Sequence, residues 1–146
     1  MSISEYPNIK YLIFSALKSG EFSGLKEVRK KFIINILLCF LSIKGRINFL
    51  QLSRFSDNCE QYFRINFENK FNFQNFNLAL IAGQKIKECI VAFDPSYIPK
   101  SGKQTFGLGR YWSGCAKQAK WGLDICGFAV VDVLRKTAFH RNAIQT

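Results

Sequence analysis

The spacing of apolar residues changes character in the second half of the chain. Up to residue 87, apolar positions return every three or four residues, which is the period of helices with one buried face. Gly20, Gly24 and Gly45 interrupt this pattern and stand where helices end. We therefore predict a helical N-terminal region over residues 1–87, with helices over 9–18, 25–43, 46–55, from about Asp57 to Phe67, and over 77–87.

From residue 88 onward the pattern is typical of strands. Cys89–Phe93 is an unbroken apolar run with β-branched members, bounded by Glu88 and by Asp94-Pro95, which predicts a buried strand. Alternating residues from Trp121 predict a second strand that ends near Asp132, and residues 137–146 predict a third. A long glycine-containing loop, 95–120, would join the first two strands. The predicted fold class is α+β, with the strands confined to residues 88–146.

The most apolar stretch, Phe32–Ile43, raises the question of a membrane span. Twelve helical residues rise about 18 Å, whereas the hydrocarbon layer is about 30 Å thick. Asn35 and Ser42 also interrupt the stretch. We therefore predict a buried helix and no membrane partner.

Cysteine usage and the N-terminus indicate the compartment. The five cysteines include no C-x-x-C pair, and the chain has a single histidine, His140, which excludes common zinc-finger spacings and disfavours a disulfide framework. The first residues lack a basic segment followed by an apolar core, so no secretory signal is predicted. A cytoplasmic location is the expectation.

Charge points to a polyanionic partner. The formal net charge is +11, and lysine and arginine occur in both halves of the chain. The predicted loop over 95–120 contains no Asp or Glu and interleaves Tyr97, Phe106, Tyr111 and Trp112 with basic residues, as nucleic-acid-binding segments do. The alternative is a basic surface that only keeps the protein soluble. The predicted DNA-binding residues are Lys100, Lys103, Arg110, Lys117 and Lys120.

A second DNA-contact hypothesis concerns the helical region. The helices over 46–55 and about 57–67 meet across a short polar turn, as in a helix-turn-helix, which would present Arg46, Arg54 or Arg64 to DNA. The sequence has no clear recognition face, so ordinary helical packing is the preferred interpretation.

Asp94 is the sharpest candidate for chemistry. Directly after a buried strand, its carboxylate would be held rigidly, as the hard oxygen ligands of Mg²⁺ are in phosphoryl-transfer sites. The alternative is a structural role in a turn before Pro95. The glycine spacings around Gly102 and Gly107 do not complete a nucleotide-binding loop, so no small-molecule cofactor is predicted.

The segment from residue 92 to residue 132 has a more specific resemblance. It reads AFDPSYIPKSGKQTFGLGRYWSGCAKQAKWGLDICGFAVVD and, with TAFHRNAIQT after it, resembles the start of the catalytic domain of bacterial insertion-sequence transposases of the DDE type. The segment over 28–77 resembles the helical leader of that family. The resemblance implies a ribonuclease-H-like fold, DNA as partner, and DNA strand cleavage and transfer at element ends by two metal ions on three acids. It assigns Asp94 as the first acid, both catalytic and a metal ligand, with Mg²⁺ as the cofactor.

The same resemblance places the other two acids beyond Thr146. Asp124 and Asp132 come too early to replace them, since both lie in or beside the predicted second strand. Residues 88–146 are therefore expected to be the first three strands of a truncated ribonuclease-H-like domain, inactive alone because one carboxylate cannot hold two ions about 4 Å apart. Two alternatives stay open: a non-catalytic DNA-binding or interfering fragment that can pair with full-length transposase, and a small basic structural protein.

Overall fold

Within the residues that the structure describes, five α-helices precede a four-stranded antiparallel sheet, which makes the fold mixed α+β. The structure, a computed structural model, describes residues 7–100, 102 and 104–146. The chain divides into two compact units, Met1–Leu80 and Ile81–Thr146. The elements are α1 Pro7–Leu17, α2 Glu27–Ser42, α3 Phe49–Arg54, α4 Glu60–Glu68, α5 Phe73–Ala82, β1 Cys89–Pro99, β2 Gly109–Ser113, β3 Gln118–Asp132 and β4 Thr137–Gln145, with a short 3₁₀ turn at Gly20–Phe22.

Helix α2 forms the centre of the first unit. Its apolar face carries Phe32, which is almost fully buried and contacts the rings of Tyr62, Phe63 and Phe67 on α4. Burial of this face confirms that the apolar stretch of the sequence is a core helix. No helix within the described residues is long and apolar enough to cross a membrane.

Arg29 joins the start of α2 to the end of α4. Its guanidinium donates hydrogen bonds of 2.7 and 2.6 Å to the backbone oxygens of Asn66 and Asn69, and burial lowers its pKa. The last carbonyls of a helix have no partner within the helix, and a cation there also interacts favourably with the helix dipole. Arg29 therefore caps α4 from a distant part of the chain.

Two predicted helix starts are corrected by the structure. Helix α5 begins at Phe73 instead of Asn77, because the side chain of Asn72 accepts a 3.0 Å hydrogen bond from the backbone N–H of Asn75 and caps the helix earlier. Helix α4 begins at Glu60, after Cys59, which makes no side-chain capping bond, so the predicted start near Asp57 is too early.

Strand β3 is the centre of the sheet in the second unit. Strand β1 pairs with one side of it, while β2 and β4 pair with successive parts of the other side. The predicted second and third strands are confirmed as β3 and β4. The predicted loop over 95–120, however, contains an additional strand, β2, because Tyr111 and Trp112 favour extended backbone and a four-residue turn returns the chain to β3.

Strand β1 runs through Pro95 to Pro99, so it is longer than the apolar run that predicted it. The backbone N–H of Val133 donates to Glu88 O at 3.2 Å, and this hydrogen-bonded pair fixes the alternation along β1. The backbone of Asp94 therefore forms hydrogen bonds with β3, whereas the nitrogens of Pro95 and Pro99 point away from β3. The two prolines lack an N–H group, but no hydrogen bond to β3 is lost. On its other side β1 is the edge of the described sheet, where no strand needs these groups.

Candidate functional site

Asp94 lies in the middle of β1, opposite Gly127 of β3. The prediction that Asp94 follows the strand is therefore wrong, because β1 continues through Pro95 to Pro99. The carboxylate is exposed, and its Oδ2 accepts a 3.3 Å hydrogen bond from the hydroxyl of Ser96. The backbone of Asp94 is held by its pairing with β3, so the residue is fixed in the middle of a strand and not at its end.

The sheet register determines which side chains share a face with Asp94. Residues directly opposite each other in a sheet project to the same face, and neighbours along a strand project to opposite faces. The pairs Asp94–Gly127 and Ala129–His140 therefore lie on one face, which we call the Asp94 face. The same alternation along β3 puts Trp121 on the Asp94 face.

A groove of about 500 Å³ lies beside the carboxylate. Asp94, Ser96 and His140 contribute its polar side chains, and the rest of the lining is apolar, with Phe93, Ile98, Ile125 and Phe128 beside four small residues. The small residues leave room above the backbone of the sheet. The small lining residues are Ala92, Gly127, Ala129 and Ala138.

His140 is the functional candidate that sequence reasoning missed. It was used only to exclude zinc-finger spacings, yet the structure brings it to the same groove as Asp94. A signal did exist: counting residues back from the β3–β4 turn pairs the two strands. That count reaches the Ala129–His140 pair directly, because the irregular pairing between Phe128 and Ala129 lies beyond it.

The predicted DNA-binding residues fall mainly in one hairpin. Arg110 is in β2, Lys117 is in the turn and Lys120 is in β3; we call Gly109–Gly122 the basic hairpin. Arg110 faces Trp121 across the strands, whereas Lys120 faces Tyr111 on the opposite face. Lys100 follows the end of β1, and Lys103 lies outside the described residues.

Asp124 and Asp132 do not join Asp94. Their partners on β1 are Tyr97 and Cys89, so both lie on the face opposite the Asp94 face. Asp132 is almost fully buried and accepts a 3.0 Å hydrogen bond from the backbone N–H of Arg135, which stabilises the β3–β4 turn. Asp124 accepts a 2.6 Å bond from the hydroxyl of Thr146. Both carboxylates therefore have structural partners.

The donor set around Asp94 does not fit a complete Mg²⁺ site. Within the part of the chain that the structure describes, no three His, Cys, Asp or Glu residues are grouped so that they could hold a metal ion. Asp94 can offer one carboxylate to Mg²⁺, whereas a two-ion site needs several oxygen ligands. No metal-dependent step can be built from this donor set.

The arginines of the helix-turn-helix hypothesis have different surroundings. Arg64 forms an ion pair with Glu60 and lies 4.9 Å from the ring centre of Phe49. Its guanidinium therefore links α4 to α3, as ordinary helical packing predicts. Arg46 and Arg54 are exposed.

The chain matches no protein-family model, no curated protein and no solved structure.

Proposed function

We propose that this chain is related to the DDE-type transposases and that its basic hairpin binds DNA. The observation that carries the proposal is the joint position of two features on one sheet. The hairpin contains only basic and uncharged side chains, and Arg110 within it shares a face with Asp94 of β1. Basic side chains bind the phosphate backbone and release its counterions, which supplies most of the affinity of non-specific DNA binding.

The order of the strands supports the family assignment. The resemblance implies a ribonuclease-H-like sheet whose first strand carries the first catalytic acid. Strand β1 is the first strand of the described sheet and carries Asp94, β3 pairs with it in antiparallel fashion, and β4 pairs with the other side of β3. An acid at this position, with a groove beside it, is consistent with a sheet of that kind.

For residues 1–146 alone we propose DNA binding without strand cleavage. Among the described strands, Asp94 is the only carboxylate on its face, while the family reaction uses three acids and two metal ions. Such a chain would act by occupying DNA ends or by joining a complete transposase. If the chain is instead a small basic structural protein, its affinity for DNA would not depend on the hairpin.

The salt dependence of duplex binding tests the proposal. The affinity should fall steeply with salt, because each neutralised phosphate contributes about −0.9 to the slope of log affinity against log salt. Changing Arg110, Lys117 and Lys120 together to Ala should reduce the magnitude of that slope by about 3.

A control with the same change in charge separates the hairpin from net charge. Lys10, Lys26 and Lys31 are exposed lysines of the helical unit, and their triple alanine variant removes the same three charges. This variant should keep the wild-type slope. Equal slopes for the two triple variants, or a flat response of the wild type, would contradict DNA binding by the hairpin.

A plasmid-nicking assay with added Mg²⁺ tests the second part of the proposal. Residues 1–146 should leave supercoiled DNA intact. Nicking by the wild type that is lost in Asp94→Asn would show that the chain is catalytically competent by itself, and would overturn the assignment of binding alone.

A further inference from the structure

We propose that Trp112, Trp121 and Arg110 form a binding site for unpaired bases of single-stranded DNA, which we call the tryptophan platform. The inference rests on the proposed DNA-binding function and names the form of DNA that this hairpin takes. It derives from three observations: the shared face of these residues, their exposure, and the charge around them.

The register of the basic hairpin brings the three side chains together. Arg110 lies directly opposite Trp121, and Trp112 is two residues from Arg110 on the same strand. All three therefore project to one face, and the two tryptophans are diagonal neighbours, separated by about 7 Å. Both indoles are largely exposed, at 68% for Trp112 and 60% for Trp121.

Aromatic side chains on the opposite face are anchored, unlike the tryptophans. The hydroxyl of Tyr111 donates to Gly107 O at 3.1 Å, and the hydroxyl of Tyr97 donates to Trp121 O at 2.7 Å. These tyrosines hold the hairpin to its neighbours. The tyrosine hydrogen bonds and the strand pairing hold the backbone that carries the two indoles, and the indole rings are exposed to solvent.

The charge around the platform selects an anionic partner. From Pro95 to Leu123 the sequence contains no Asp or Glu, while it contains five basic side chains. Aromatic rings next to cations are the combination used to bind single-stranded nucleic acid, because bases stack on the rings and phosphates pair with the cations. Duplex bases are stacked on each other already, so their faces are not accessible to Trp112 or Trp121. The partner that fits is a strand with unpaired bases.

The platform and the groove beside Asp94 lie on the same face of the sheet. Trp121 and Gly127 lie on the same strand and the same face, six residues apart, which corresponds to about 20 Å. A strand bound to the platform can therefore extend toward Asp94. This arrangement suits unpaired DNA near the end of an element.

The intrinsic fluorescence of the protein provides a direct measurement. The chain contains two tryptophans, and both belong to the platform, so quenching on titration with oligothymidine reports stacking at this site. We expect quenching in the wild type. Trp112→Ala or Trp121→Ala should weaken oligothymidine binding on the order of tenfold each, while duplex binding changes by less than about twofold. Trp112→Phe and Trp121→Phe, which retain a stacking ring, should restore most of the affinity.

Tyr11→Ala is the matched control. Tyr11 is 68% exposed, as Trp112 is, and lies in α1 outside the sheet, so its loss should not alter oligothymidine binding. Circular dichroism of each variant verifies that the fold is retained. The affinities of the alanine variants, measured by anisotropy of labelled DNA, do not depend on the remaining tryptophan.

The outcomes separate this inference from the function on which it rests. If the wild type binds duplex DNA with steep salt dependence but the tryptophan variants bind oligothymidine normally, the platform is wrong and the DNA-binding function stands. If the variants lose duplex and single-strand affinity equally, the preference for unpaired bases is wrong. If the wild type binds neither form, both proposals fail. A fluorescence change that depends only on protein concentration would assign the platform to self-association and overturn the inference.

Discussion

Tyr97 covers Gly122. The tyrosine hydroxyl donates a 2.7 Å hydrogen bond to the backbone oxygen of Trp121, which brings the ring across the adjacent glycine. A Cβ atom at Gly122 would clash with the Tyr97 ring and with the backbone oxygen of Ile98. The glycine is therefore required by the close approach of β1 to β3, and the aromatic ring replaces the side chain that the strand lacks at this position.

Gly122→Ala should destabilise the strand-rich unit. The added methyl group meets backbone at Ile98 as well as the Tyr97 ring, and overpacking of this kind costs about 1–3 kcal/mol. Gly127→Ala is the control on the same strand, because its Cβ would meet only Asp94 O at 3.9 Å. That variant should be neutral or more stable by about 0.5–1 kcal/mol. Tryptophan fluorescence during urea unfolding measures both, and equal midpoints would refute the packing of Tyr97 on Gly122.

Asp132→Ala should destabilise the β3–β4 turn. The substitution removes the acceptor for the backbone N–H of Arg135 and a partner of its side chain, at a cost of about 1–3 kcal/mol. Asp132→Asn retains a side-chain oxygen for the backbone bond and should lose less. Urea midpoints of the two variants provide the test. An alanine variant as stable as the wild type would mean that the carboxylate has no structural role.

Arg29→Ala should destabilise the helical unit by about 1–2 kcal/mol, because two carbonyls at the end of α4 lose a charged donor. Arg29→Lys should recover only part of this stability, since one ammonium group cannot reproduce the planar fork. Unfolding followed by circular dichroism at 222 nm would show the difference. Lys31→Ala removes a neighbouring exposed charge and should leave the midpoint unchanged.

The five cysteines should divide into two classes of reactivity. Cys59, Cys89 and Cys115 are exposed, whereas Cys39 and Cys126 are buried. Burial also raises the pKa of the Cys39 thiol, so less of the reactive thiolate is present at a given pH. Labelling with iodoacetamide at neutral pH, read by peptide mass spectrometry, should modify the exposed group first. Rapid labelling of Cys39 in the folded protein would contradict its position in the core.

Elements with a strong local pattern could be predicted from the sequence. Helix α2 was predicted because its apolar residues recur with a helical period over a long segment. The alternating residues from Trp121 predict β3, and the segment that follows the turn after Asp132 predicts β4. In each case neighbouring residues carry enough information to define the element.

The arrangement of the candidate site could not be predicted in the same way. Asp94 was expected after a strand because Pro95 reads as a break, and only pairing with β3 shows that this proline lies where no hydrogen bond to β3 is needed. His140 and Trp121 share a face with Asp94 through register between strands that are distant in sequence. Such pairing depends on backbone contacts that apolar periodicity does not encode.

The two prolines of β1 also limit how another strand can be added to the sheet. Along the outer edge, Val91 and Phe93 present N–H groups to an incoming strand, but Pro95 and Pro99 have none to offer. A strand that docks there can form a continuous ladder only along Cys89–Phe93 and must lose bonds beyond it. The same positions therefore oppose extended edge-to-edge aggregation of an otherwise exposed, apolar strand.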